Sequence, residues 1–253
     1  MNLFQHFVFF LVLGLATAIP SLGQEMTLFD AVEKFNCEDL LARLDGFSHH
    51  VAYDPTPSIG EVVLIPGPNP IENAKHAKYL QSYVFRRKLP DKLTVAVTKP
   101  QGQMRVEFWS GPVGSKRTLV SHTLSLKLSN VTSPIVFDSD LFEMYVDKGK
   151  RHFVGVGCAA CCISVLDWDL LSQVLDANPN LSTYLVIRGK PSRHRLLTAG
   201  IRGYMRDANF NEKKVKFLYA NKNIVDSNQF TEFAIYLSPS IIRSARELRK
   251  DRD

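Results

Sequence analysis

Beyond its first twenty residues the chain has no run of 18 apolar residues, which excludes a polytopic membrane protein. It has no G-x-S-x-G elbow, P-loop, dinucleotide fingerprint, H-E-x-x-H pair or EF-hand loop, so the familiar signatures of hydrolytic, nucleotide and metal chemistry are missing. The seven histidines are scattered apart from His49-His50, which sits beside a proline-rich loop and reads as surface. No tandem sequence repeat and no low-complexity segment is visible. What is present is ordinary for a folded protein: 253 residues, 45% hydrophobic and 22% charged, with a net charge of +6. Those fractions exclude wholesale disorder and collagen.

The one long apolar stretch, Phe7 to Ala18, lies at the N-terminus. It is short for a membrane span and right for the hydrophobic region of a signal peptide. Ser21-Leu22-Gly23 places small residues at the −3 and −1 positions, so cleavage is expected before Gln24, leaving no membrane span. Two N-x-[ST] sequons, at Asn130 and Asn180, fit a secreted glycoprotein.

In that oxidising setting the four cysteines, Cys37, Cys158, Cys161 and Cys162, suggest disulfide bonds. Vicinal Cys161–Cys162 is the least favourable pairing on geometric grounds. A bridge from Cys37 to one of the clustered thiols would close a loop of roughly 120 residues and add about 4 kcal/mol through chain entropy. A zinc or redox role for the cluster is disfavoured. Only His122 and His152 lie near it in sequence, and the cysteines sit inside an apolar run.

Residues 24–48 show helical spacing, and His49 to Ala74 reads as loop around a short strand at Glu61–Ile65. A period of two then predicts strands at Tyr79–Arg86, Leu93–Thr98, Met104–Trp109, Leu119–Leu126, Ile135–Phe137, Phe142–Val146 and Phe153–Val156. A helix is predicted at Asp167–Asp176, followed by strands at Thr183–Arg188, Leu196–Met205, Lys214–Tyr219 and Phe230–Leu237. A final helix runs from Ser238-Pro239 to Arg249. The expected fold is mainly β: an antiparallel sandwich of jelly-roll type with a short N-terminal helix and a C-terminal helix. The expected organisation is a signal peptide (1–23), a β-sandwich with helical lead-in (24–165), and a smaller basic β unit or completion of the sandwich (166–253).

Within residues 79–160, the strand ending at Leu89-Pro90, the strand Lys92–Val97, the strand Met104–Gly111, Phe137-Asp-Ser-Asp140 and Gly149 before His152-Phe153 follow one another in a distinctive order. This order resembles that of CUB and CUB-like extracellular modules. The resemblance implies a jelly-roll sandwich and a binding role. The family's usual cysteine pair is absent here, and only Asp138 and Asp140 fall near its calcium-site acids.

The clearest chemical bias is electrostatic. Val186 to Lys216 holds nine basic and two acidic residues, a local charge of +7. Arg188, Lys190, Arg193, Arg195 and Arg202 are the candidate ligand-binding residues. Guanidinium forks and ammonium groups together suit sulfate, phosphate or carboxylate. For a secreted protein the expected partner is an anionic glycan or cell-surface group rather than nucleic acid, and no cofactor is expected. The competing expectation is a lumenal metal-dependent glycosyltransferase, with Asp138-Ser139-Asp140 as a carboxylate turn holding a hard cation. The absence of an alternating βα half before that turn favours the binding protein over the enzyme.

Overall fold

The computed structural model describes residues 25–55, 58–115, 121–147, 150–155, 167–221 and 230–249. The expected signal peptide and Cys158, Cys161 and Cys162 lie outside the described residues, as does the bridge proposed to them. Cys37 is half-buried at the start of a helix.

Strand β1 (Thr27–Val32) leads to helix α1 (Cys37–Tyr53), β2 (Ser58–Ile65), α2 (Pro70–Arg86), β3 (Leu93–Val97) and β4 (Arg105–Pro112). Then come β5 (Ile135–Asp147), β6 (Lys150–Gly155), α3 (Trp168–Ala177), β7 (Ser182–Arg188), α4 (Pro191–Asp207), β8 (Val215–Ala220) and β9 (Phe230–Ser238). One sheet has the order β1-β4-β2-β3 and the other β6-β5-β9-β7-β8. Both are mixed: β2 is parallel to β3 and β7 to β8, and the remaining pairs are antiparallel. The chain is therefore an α/β protein, and the expected antiparallel jelly-roll sandwich is wrong. Two supposed strands are the cause. Tyr79–Arg86 and Leu196–Met205 lie inside α2 and α4, each a helix of 17 residues.

Local chemistry explains those helices. The Asn69 side chain accepts from the N–H groups of Ile71 and Glu72, and Pro70 opens α2 where a missing N–H costs nothing. Ile71, Ala74, Ala77, Leu80 and Val84 then form a buried stripe at three- and four-residue steps. The helix expected at residues 24–48 is instead β1 followed by α1, capped by Asn36 accepting from Asp39 N–H. The predicted α3 is present, with Asp167 accepting from Leu170 N–H. The predicted C-terminal helix is a single 3-10 turn, Glu247–Arg249.

The two sheets belong to two units with the same connectivity, strand–helix–strand–helix–strand–strand. β1, α1, β2, α2, β3 and β4 correspond to β5, α3, β7, α4, β8 and β9, and every pairing is matched. Strand β6 is an addition to the second edge. Even an irregularity recurs. Leu28 faces Trp109 and Asp30 faces Phe108, leaving Phe29 as a bulge; Val136 faces Tyr236 and Asp138 faces Ile235, leaving Phe137. The repeat is one of topology, and no sequence repeat accompanies it.

In the first unit α1 and α2 cover one face through Leu40, Leu44, Phe47, Leu80 and Tyr83 packed on Val62, Leu64, Val106 and Phe108. In the second, α3 and α4 cover Leu185, Ile187, Phe233 and Ile235. The opposite face of the second sheet, Tyr184, Val186, Ala234 and Tyr236, lies under Ile242, Ala245 and Leu248 of the C-terminal segment. Residues 121–134 strap the units together. His122 N–H bonds the Val97 carbonyl at 2.7 Å, and the Asn178 amide accepts from Leu128 N–H and donates to the Leu126 carbonyl, both at 2.8 Å.

Candidate functional site

The parallel pair β7 and β8 ends beside the first turns of α4. Outside the carboxyl ends of parallel strands, at a helix start, is where α/β sheets present crevices. Here the crevice is a groove of about 570 Å³ lined by Pro191, His194, Arg195, Thr198, Ala199, Arg202 and Tyr219.

Each wall has a reason to be where it is. Pro191 starts α4 directly after Lys190, which gives no side-chain cap, and the first turn contains no acid. The helix N-terminus, with its partial positive charge, is thus left to bases alone. His194 is buried; its Nε2–H donates to the Gly189 carbonyl at 2.9 Å, and its ring stacks on Tyr219 with centroids 5.1 Å apart. The Thr198 and Tyr219 hydroxyls are 3.1 Å apart. The Arg202 guanidinium lies 5.2 Å from the Phe217 ring centroid and 3.4 Å from Glu212. Arg195 is exposed one helical turn before Ala199, and Arg202 one turn further on. The result is an open slot with an aromatic side, two hydroxyls, and guanidinium groups at both ends. Such a surface suits a ring bearing anionic substituents.

Of the five sequence-derived candidates, the fold brings Arg195 and Arg202 together in the groove and leaves Lys190 and Arg193 at its helix-start end. Arg188 is elsewhere. It is buried on the opposite face of β7, 3.3 Å from Glu232 and 3.2 Å from the Tyr236 hydroxyl. His194, Thr198 and Tyr219 were missed. Reading Leu196–Met205 as a strand puts Arg195 and Arg202 on opposite faces, whereas their seven-residue spacing on a helix puts them on one.

A second basic hollow, of about 450 Å³, lies between α3 and β8, with Lys213, Lys214 and Lys216 on its wall. Lys214 is already engaged with Asp176 at 2.6 Å. An alternating strand–helix unit, β1 to β4, does precede Asp138-Ser139-Asp140, so the expected absence of one no longer counts against the enzyme; the two aspartates, however, are not on a turn. They stand within β5, and the Asp138 carboxylate, nearly buried, lies 3.4 Å from Lys75 Nζ and accepts from Ser139 N–H at 2.9 Å. Among the described residues no cluster of three or more His, Cys, Asp or Glu could hold a metal ion. Both sequon asparagines are exposed, Asn130 with φ of 58°.

No protein-family model matches the chain, and no curated protein matches it. The likeness to CUB modules rests on the residues that suggested it.

Proposed function

We propose that this is a secreted, non-enzymatic binding protein that engages anionic glycans at cell surfaces through the α4 groove. The observation that carries this reading is the coincidence of the most basic segment of the chain with an open groove, whose arginines flank an exposed tyrosine. Sulfated sugars present such a combination in reverse: a ring face for Tyr219 and sulfates for Arg195 and Arg202. The apolar N-terminal stretch and the exposed sequons supply the compartment in which such partners occur.

The rival reading, a metal-dependent glycosyltransferase, asks Asp138 to ligate a cation while Lys75 already neutralises it. Heparin chromatography separates the two. The wild-type protein is retained and elutes earlier as salt rises, because exposed charge pairs are screened. Arg195→Ala/Arg202→Ala binds on the order of 100-fold more weakly, about tenfold for each guanidinium–sulfate hydrogen bond removed. Replacing Lys213, Lys214 and Lys216 by Ala leaves most of the retention in place. Equal retention of the double-arginine variant contradicts the assignment. A Mn²⁺-dependent rise in thermal midpoint that Asp138→Asn abolishes favours the enzyme.

A further inference from the structure

Where the strap between the units meets the start of α2, the surface opens into a hollow of about 380 Å³. One wall is Pro68, Pro70 and Ile71; the other runs over residues 128–136, with Val131, Ile135 and Val136 as apolar members. Ile71 is buried, and Val131 and Ile135 are half-buried against the second unit's core. Val136 is 44% exposed, although it stands in β5 next to the buried Phe137. The hydroxyls of Ser129, Thr132 and Ser133 belong to the same lining. Apolar surface interspersed with hydroxyls is the complement of a sugar ring, which has a C–H face and a polar edge.

Asn130 belongs to that wall as well. It is exposed, as is Thr132, and with Val131 between them they form an N-x-T acceptor. Its φ of 58° is in the left-handed region, which asparagine tolerates better than most residues with a side chain. The turn is held at its base by Leu128 N–H donating to Asn178 Oδ1 at 2.8 Å. The second sequon differs. Asn180 is exposed but lines neither this hollow nor the two described above, and its Ser182 opens β7 opposite Ser238.

We propose that Asn130 carries an N-linked glycan whose innermost N-acetylglucosamine seats in this hollow and covers Val136. In the transfer, Asn130 Nδ2 bonds to C1 of a lipid-diphosphate-linked oligosaccharide, the C1–O bond to the diphosphate breaks, and Nδ2 gives up a proton. Covalent attachment on the rim holds the sugar beside the hollow at high effective concentration, so weak contacts suffice to seat it. The ring's C–H face and acetamido methyl suit the prolines and Val136, and its hydroxyls suit Ser129 and Ser133. The inference rests on the secretory compartment proposed above and is independent of the α4 groove.

The full chain, secreted behind a heterologous leader from a host that N-glycosylates, tests it. That leader separates the two readings: failure of the chain's own leader sinks the secretory one and leaves this experiment intact. Glycopeptide mass mapping finds Asn130 occupied; Thr132→Ala removes the glycan and Thr132→Ser retains it. Thr132 is the position to change because a substitution at Asn130 meets the left-handed backbone. Endoglycosidase trimming of the wild type to a single N-acetylglucosamine leaves the thermal midpoint where it was. Complete removal by an amidase lowers it by about 3 °C, the scale expected when one or two apolar groups lose their cover. Nuclear Overhauser contacts link the retained acetamido methyl to the Val136 methyls. Asn180→Gln changes neither midpoint nor contacts. An unmodified Asn130 overturns the proposal, as does a midpoint indifferent to complete removal, a fall on trimming equal to that on complete removal, or a retained sugar without contact to Val136.

Discussion

Asn73 and His194 each stand fourth in a 17-residue helix and each reaches back to the glycine of the preceding loop. Asn73 donates to the Gly67 carbonyl at 2.9 Å and accepts from Gly67 N–H at 2.8 Å; His194 donates to the Gly189 carbonyl. Both side chains are buried, so these bonds fix how strand passes into helix in each unit. Gly67 is required for a further reason: a Cβ there would stand 2.9 Å from the Met104 backbone nitrogen. Asn73→Ala leaves a buried N–H and carbonyl unpaired and costs about 3 kcal/mol, measurable by urea unfolding. His76 gives the stability a pH dependence. Burial holds its pKa below the ordinary 6.5, despite the neighbouring Glu72 carbonyl at 2.8 Å. Below that ordinary value the unfolded chain takes up a proton that the folded chain resists. Its contribution is thus complete above pH 6.5 and is lost as pH falls through that value towards the depressed one. Chemical unfolding of wild type and His76→Gln at pH 7 and pH 5 should show a smaller acid-side loss in the variant; equal losses contradict this assignment.

Among the elements, α4 shows how a functional surface is kept at the expense of local stability. Lys190 precedes it without a capping bond, its first turn has no acid, and Gly200 and Gly203 interrupt its exposed side. Lys190→Asp supplies both a cap and a favourable charge at the helix start. It is expected to raise stability by about 1 kcal/mol while weakening heparin retention, because the same substitution removes positive charge from the groove's edge. Calorimetry and chromatography on one variant check both signs. The elements also show what a sequence reveals and what it hides. The α3 start was legible because Asp167 and Asp169 stand at the head of an apolar helical stripe, and β3, β4, β7, β8 and β9 because they are short runs rich in β-branched, aromatic and other apolar residues. Helices α2 and α4 were hidden by Tyr79, Tyr83, Val84 and Phe85, and by Leu196, Ile201 and Tyr204. These are apolar and aromatic residues that suit a strand locally; on the helices Tyr79, Tyr83, Val84 and Ile201 are buried, while Phe85 and Tyr204 stand exposed. Once both were read as strands, a β-sandwich followed. The basic cluster was visible as charge, but Tyr219 joins it from a strand paired in parallel to β7, a relation that no local pattern carries.

Across the whole molecule the architecture is one unit used twice, with α2 serving as core of the first and interface to the second. Burial alone would lower the pKa of Lys78, and the hydrogen bonds to Asp167 and Asp169 raise it above its ordinary value; Asp169 is correspondingly held below the usual carboxylate range by Lys78. The junction thus stays charged through the neutral range. The second unit keeps its own helix outward, and the groove exists because nothing among the described residues covers α4 in the way the second unit covers α2. The glycan reading therefore concerns a place as much as an affinity, and mapping amide shifts during titration with a sulfated oligosaccharide tests it most directly. The account predicts that the largest shifts fall on Arg195, Thr198, Arg202 and Tyr219 and fade as salt is raised. Shifts centred on Lys213 to Lys216, or spread evenly over the basic surface, would contradict it.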